Sequence, residues 1–257
     1  MRSRGFVVCA LLALAACTPP RPSLPTGTGT PFSGFEAAYD EGVKDCRSAR
    51  SVLAELGLSG RAGSTKLRGR INAGIVAPDS IRLEGIAFGR PIFILAGRDG
   101  RATLLLTRED RVVRDEPPAA IVEALTGVPL GPADLVSVVA GCGLGAAAPS
   151  AGRTFNDQWA AVDAGETTTY LRRVDGLWRV GAAVRRDLQV VYAEYSRGTA
   201  TAVYVRTGSV ADIRLGISQL EVNSTIGREA FDVNVPPDAE PLTLDELRRA
   251  GPLGEKK

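Results

Sequence analysis

The chain has 257 residues, 44% hydrophobic and 5% aromatic, with a formal net charge of +2, which is the composition of a globular protein large enough for one sizeable domain or two small ones. It contains no histidine, which excludes Ser-His-Asp and Cys-His nucleophilic sites and every His-ligated metal. Its four lysines (Lys44, Lys66, Lys256 and Lys257) leave few candidates for Ser-Lys catalysis, and its arginines are interleaved with acids, so no basic stripe points to nucleic acid.

The first segment reads as an export signal. Arg2 and Arg4 make a positive start, residues 5–13 form an apolar run too short to span a bilayer, and Leu14-Ala15-Ala16 places small residues before Cys17. This run resembles the lipobox of bacterial lipoproteins, in which the cysteine is lipidated and becomes the first residue of the mature chain. The alternative is an ordinary cleaved signal that happens to contain Cys17. Residues 17–34 follow as a tether rich in Pro, Thr and Gly, with no means of packing a core. Without Arg2 and Arg4 the 31 basic residues fall to 29, equal to the 29 acidic ones, so a lipid must hold the mature chain at a membrane without a polybasic patch.

Residues 35–56 show apolar side chains at three- and four-residue steps (Phe35, Ala38, Tyr39, Cys46, Ala49, Leu53, Leu56), which predicts an amphipathic helix closed by Gly57 and Gly60. The period then becomes two. Leu67, Gly69, Ile71, Ala73 and Ile75 alternate with Arg68, Arg70 and Asn72, the pattern of a strand with one dry face. After the Pro78-Asp79 turn, Ile81 and Leu83 alternate with Arg82 and Glu84. Ile92 to Leu95 and Ala102 to Leu106 then flank Asp99-Gly100, a strong hairpin signal because Gly accepts positive φ. Two short helices follow, 119–125 closed by Gly127 and 132–140 closed by Gly141, each with Pro near its start. Residues 143–152 read as a flexible crossover. From Thr154 nearly everything alternates: hairpins turn at Ala164-Gly165, Asp175-Gly176 and Arg197-Gly198, and Ala211, Ile213, Leu215 and Ile217 mark a strand with one dry face. Residues 231–235 read as a last strand stopped by Pro236-Pro237, and residues 243–250 as a terminal helix with Thr243 and Glu246 in a capping box. About ten to twelve strands result. The expected organisation is a signal peptide (1–16), a lipidated tether (17–34), one domain (35–253) and a tail (254–257).

Three stretches carry a resemblance to the LolA/LolB-type lipoprotein carriers of the bacterial envelope, nearest to the outer-membrane LolB-like branch. Leu83-Glu84-Gly85-Ile86-Ala87-Phe88-Gly89 matches the place of that branch's Pro-Leu-Gly turn, with Ala87 where Pro is usual. Leu125-Thr126-Gly127-Val128-Pro129-Leu130-Gly131-Pro132-Ala133-Asp134-Leu135 is similar to its linker between lid helices, although an aromatic usual before the second lid glycine is missing. Phe231 to Ala239, with Pro236-Pro237, is like the closing strand and turn of the superfamily. The resemblance implies an α+β fold: a curled antiparallel half-barrel of about eleven strands under a helical lid, with a cavity for acyl chains. It implies no cofactor and no enzyme activity. Its partners would be acyl chains of lipoproteins or lipids, the membrane through the N-terminal lipid, and a periplasmic carrier protein. Phe88 matches the protruding apolar residue of LolB-like proteins, a membrane-probing tip unless it turns inward.

Other candidates have two readings each. With Cys9 leaving in the signal and Cys17 lipidated, Cys46 and Cys142 remain, a pair expected to bond in an exported domain, the alternative being two buried thiols. The dry faces of the sheet (Ile71, Ala73, Trp178, Val180, Ile213, Leu215) and of the lid (Ile121, Leu125, Leu135, Val138, Val139) line either a lipid cavity or a packed core. Gly141-Cys142-Gly143-Leu144-Gly145 ends a helix, so it is a cap and crossover and not a phosphate loop. The acidic pairs Glu109-Asp110, Asp115-Glu116 and Asp245-Glu246 sit at turns or helix starts as solvated charges, with no catalytic pairing. The leading expectation is a lipid-anchored lipoprotein on the periplasmic face of the outer membrane that binds acyl chains or lipoproteins for their localisation. The second is a non-catalytic structural or assembly lipoprotein whose half-barrel is a protein-interaction module.

Overall fold

The computed structural model describes residues 22–87, 89–145, 147–196 and 198–250. Cys17 and Phe88 lie outside the described residues. One 15-stranded sheet organises the chain. After β1 (Thr30–Pro31) and helix α1 (Phe35–Val43), six strands run as a meander: β2 (Ser51–Ala62), β3 (Thr65–Val76), β4 (Ser80–Ala87), β5 (Arg90–Arg98), β6 (Arg101–Leu106) and β7 (Arg111–Glu116). Helices α2 (Pro118–Thr126) and α3 (Pro132–Ala140) cross over the sheet. A second meander follows: β8 (Ala151–Asn156), β9 (Trp159–Ala164), β10 (Thr167–Val174), β11 (Leu177–Arg185), β12 (Leu188–Ser196), β13 (Thr199–Thr207) and β14 (Ala211–Val222). Then come a 3-10 turn at Arg228–Phe231, β15 (Glu240–Pro241) and α4 (Leu244–Ala250).

The two meanders join where β14 pairs with β2, from Ala211 opposite Ala62 to Val222 opposite Val52. The sheet is open. Its edges are β8 and β7, each partly covered by a two-residue strand: β1 antiparallel on β8, and β15 parallel on β7, the one parallel pair among the described strands. Side chains alternate as a pleat requires. Leu67, Ala73 and Ile75 of β3 are buried while Lys66, Arg68 and Arg70 are exposed. Ala211 and Ile213 of β14 continue the same dry face. The helices lie on it: α1 against β8 to β11, α3 against β2 and β3, and α2 against β2, β6 and α4. One apolar core fills the space between.

Three expectations change. The helix over 35–56 stops at Val43, and residues from Ser51 onward are strand. Val52, Ala54, Leu56 and Leu58 are buried at period two, and β2 is hydrogen-bonded on both sides, so sheet pairing overrides a helical spacing that also fits these residues. Residues 232–235 are not strand. Phe231 ends the 3-10 turn, and the carbonyls of Ala230 and Asp232 accept hydrogen bonds from Arg82 Nη1 at 2.9 and 3.0 Å in place of a strand neighbour. The strand count rises from about eleven to 15, although residues 231–235 drop out, because a helical spacing hides β2 and because β7, β8 and the two-residue edge strands have no clear alternation. The capping box forms as expected: the Glu246 N–H donates to Thr243 Oγ1 at 3.2 Å, and the Thr243 N–H donates to Glu246 Oε2 at 2.9 Å.

Candidate functional site

The site begins where α1 ends. The chain leaves Val43 in successive turns, with the Arg47 N–H donating to the Val43 carbonyl at 2.8 Å and the Ala49 N–H to Cys46 at 2.9 Å. It then enters β2 at Arg50, whose N–H donates to Asn223 Oδ1 at 2.8 Å and whose carbonyl accepts from the Ala77 N–H at 2.8 Å. Opposite stands α3. Gly141, at φ 92°, caps it in the left-handed conformation, and the Cys142 N–H reaches back to the Ser137 carbonyl at 2.8 Å, a Schellman-type end. Gly143, at φ 78°, is pressed so close to β11 that a Cβ would lie 2.8 Å from the Ala183 Cβ.

Cys46 and Cys142 are bonded across this space, with Cα atoms 5.6 Å apart and 96 residues between them in sequence. The bond joins the exit of α1 to the exit of α3. The buried Tyr192 of β12 secures the same point from below: its hydroxyl donates to the Val138 carbonyl at 2.8 Å and accepts from the Gly143 N–H at 2.9 Å. Burial pushes the Tyr192 hydroxyl well above its ordinary pKa, so it stays a neutral donor. Glu41 and Asp45 hold the α1 side, accepting from the Trp178 N–H at 3.1 Å and from Arg179 at 2.7 Å.

Between these walls runs a half-open groove of about 770 Å³. Tyr39, Val43, Cys46 and Ala49 form one side, Ala133, Val136, Ser137 and Cys142 the other, and Ala147, Ala148 and Pro149 of the crossover close an end. The lining is mainly apolar. Four charged residues touch the groove: Asp40, Arg47, Arg50 and Asp134. Asp40 is paired with Arg47, and Asp134 with Arg185 at 3.1 Å. Burial raises the Tyr39 hydroxyl pKa, with Arg47 opposing and Asp40 adding to the rise, so this ring also faces the groove uncharged.

The eleven apolar candidates lie elsewhere. Ile121 and Val138 are fully buried; Ala73, Leu125, Val139, Trp178, Val180 and Ile213 are buried; Ile71, Leu135 and Leu215 pack on the same core at its margins. None lines the groove. Among the described residues, Cys46 and Cys142 are the only sequence candidates that do. Tyr39, Arg47 and Arg50 escaped the sequence reading because a continuous helix over 35–56 puts the arginines on its wet face; the alternation that starts at Val52 was the available signal. Among the described residues no cluster of three potential metal ligands occurs, and no helix is long and apolar enough to cross a membrane.

No protein-family model and no curated protein sequence matches the chain. Solved structures do. A LolA superfamily protein from Nitrosomonas europaea aligns over 80% of this chain and 99% of its own, at 10% identity and a TM-score of 0.51. A putative outer membrane lipoprotein-sorting protein domain from Vibrio parahaemolyticus aligns over 78% of this chain and 94% of its own, at 13% identity and a TM-score of 0.42. At such identities the likeness speaks for the fold, and the first of the two carries it. An open antiparallel sheet, curled over an apolar core and roofed by helices on one face, is the LolA-type fold, and it is the fold of this chain.

Proposed function

We propose that this protein is a non-catalytic lipoprotein of the bacterial envelope, anchored through Cys17 to the periplasmic face of the outer membrane, that holds acyl chains in the groove between α1 and α3. The observation that supports it most is the groove itself. Its volume of about 770 Å³ lies within the roughly 300–1,000 Å³ usual for small-molecule sites, and its walls are mainly apolar. Each methylene taken out of water there contributes about 0.8 kcal/mol, so a chain of ordinary length gains enough to offset its ordering. The LolA-type fold fits a lipid or lipoprotein carrier, and the Leu14-Ala15-Ala16-Cys17 run supports the anchor. The buried apolar candidates supply the stiff floor against which the groove keeps its shape.

Native mass spectrometry of the full chain released from detergent micelles tests the proposal. Retained acyl lipid, displaced by added fatty acid, is the expected result. A chain that neither retains nor takes up any acyl lipid would overturn it and leave protein interaction as the role of the fold. The anchor has its own test: Cys17→Ala should abolish labelling by a fatty-acid probe.

A further inference from the structure

The groove carries an unbalanced charge. Of its four charged residues, Asp40 and Arg47 neutralise each other, and Asp134 is matched by Arg185. Arg50 is in no ion pair among the described residues. Its Nη1 donates to the carbonyls of Arg47 and Ala49 at 3.2 and 3.0 Å, which aims the guanidinium without cancelling its charge. Its Nε and Nη2 have no protein partner among the described residues. The backbone beneath is fixed on both sides, by Asn223 and by the Ala77 N–H. Asn223 in turn donates from Nδ2 to the Ser48 carbonyl at 3.2 Å, so the whole 48–50 segment is braced against the end of β14. A positioned guanidinium with two free donors beside an apolar trough is suited to an oxyanion carried on a hydrocarbon chain.

We propose that the groove selects amphiphiles with an anionic head, carboxylate or phosphate, and that Arg50 binds that head while the chain lies between Tyr39, Val43 and Val136. This rests on the acyl-chain reading of the groove and adds a head-group requirement to it. Uncharged acyl groups would occupy the same trough without the contact to Arg50. Arg47 is a weaker candidate for the head, because an incoming anion would have to displace Asp40 from it.

The test is a competition read by native mass spectrometry of the full chain in detergent micelles. Palmitic acid is set against its methyl ester at equal concentration, and lysophosphatidic acid against the neutral monoacylglycerol. A charged hydrogen-bonded contact predicts a preference of about tenfold for the anionic member of at least one pair, and the pair with the larger ratio identifies carboxylate or phosphate as the head. Arg50→Gln should reduce that ratio to near one, and Arg50→Lys, which keeps a charge, should retain part of it. Raising salt to about 1 M, where the Debye length is about 3 Å, should shrink the wild-type ratio. Equal uptake of acid and ester in both pairs by the wild-type chain would overturn the head-group inference while leaving acyl binding intact. Uptake of neither member would overturn the acyl reading itself. A preference that survives Arg50→Gln, in a variant with an unchanged thermal melt, would remove Arg50 from the role.

Discussion

The two halves of the sheet are roofed in different ways. Over the first meander, α2 packs on β2 and β6, and α4 packs on α2. Ile121 of α2 and Leu247 of α4 are fully buried, as are Leu95 of β5 and Leu104 of β6. Over the second meander, α1 buries Ala38, Tyr39 and Val43 but is also fastened by directed contacts: Glu41 on the Trp178 N–H, Asp45 on Arg179, and the Cys46–Cys142 bond. The groove opens between α1 and α3, and α3 lies on β2 and β3, so it follows the seam of the two meanders. Close packing leaves no room for a ligand, whereas a roof fastened at points can stand away from its neighbour and still keep its place. The difference assigns stability mainly to the roof made by α2 and α4, and binding to the seam between α1 and α3.

Breaking the dry half should cost most. Ile121→Ala removes a fully buried side chain between α2 and the sheet, with an expected loss of about 2–5 kcal/mol in a urea melt. Because Ile121 does not touch the groove, acyl uptake by the folded fraction should be unchanged. Opening the disulfide should cost about 2–4 kcal/mol, since the bond closes a 96-residue separation. Here uptake should fall as well, because both sulfurs belong to groove walls. A Cys142→Ser chain that loses stability but binds as before would break the division of labour between the halves.

Tyr192→Phe is a finer probe of the same wall. The phenyl ring keeps its place in the core, but the Gly143 N–H loses its acceptor, whereas the Val138 carbonyl still accepts from the Gly141 N–H at 3.3 Å. A buried donor left bare costs about 1–3 kcal/mol. Hydrogen exchange should localise the loss to the end of α3, with α2 and α4 as protected as before.

The dry half was the more legible of the two in the sequence. Its hairpin at Asp99-Gly100, its helix α2 from Pro118 to the Gly127 cap and the Thr243–Glu246 box are local signals, and each formed where its residues said. The groove, its α3 wall apart, depended on contacts distant in sequence. Ser51 to Leu58 satisfy a helical and a strand period alike, and only pairing with both β14 and β3 decides between them. The arginines of residues 47–50 then move from a supposed helix face to a groove mouth. Apolar spacing marked Ile71 and Ile213 on the sheet and Val138 on the lid as inward-facing, as they are, but that spacing is the same for a packed wall and a hollow one. The disulfide was reachable by counting, on the expectation that Cys9 leaves with a signal and Cys17 takes a lipid.

The smallest expected effect separates the halves by acid. On the outer face of the second meander, Asp163 of β9 accepts from Arg153 of β8 at 2.6 Å and from Thr168 of β10 at 2.7 Å, so one carboxylate ties three strands at the sheet edge. Burial alone would raise its pKa; the hydrogen bonds from Thr168 and Arg153, with the Arg153 charge, outweigh burial and hold it below the ordinary value of 3.8. The tie therefore acts in full above that value and is lost as pH falls through the lower folded one. Asp163 keeps about a third of its side chain in water, so the loss should stay below about 1 kcal/mol. In the first half the corresponding group is Glu246, a half-buried carboxylate whose pKa is lowered chiefly by the Thr243 N–H and then by its hydroxyl. Acid should thus loosen β8 to β10 at one edge and fray α4 at the other, each independently. Hydrogen exchange followed from pH 5 to pH 2.5, roughly spanning the carboxylate range, should show both regions speeding up beyond the intrinsic rate, with α2 and β5 unchanged. Asp163→Asn should remove the acid response of β8 to β10 and leave that of α4. If the two responses disappear together in that variant, the halves are coupled more tightly than their separate roofs imply.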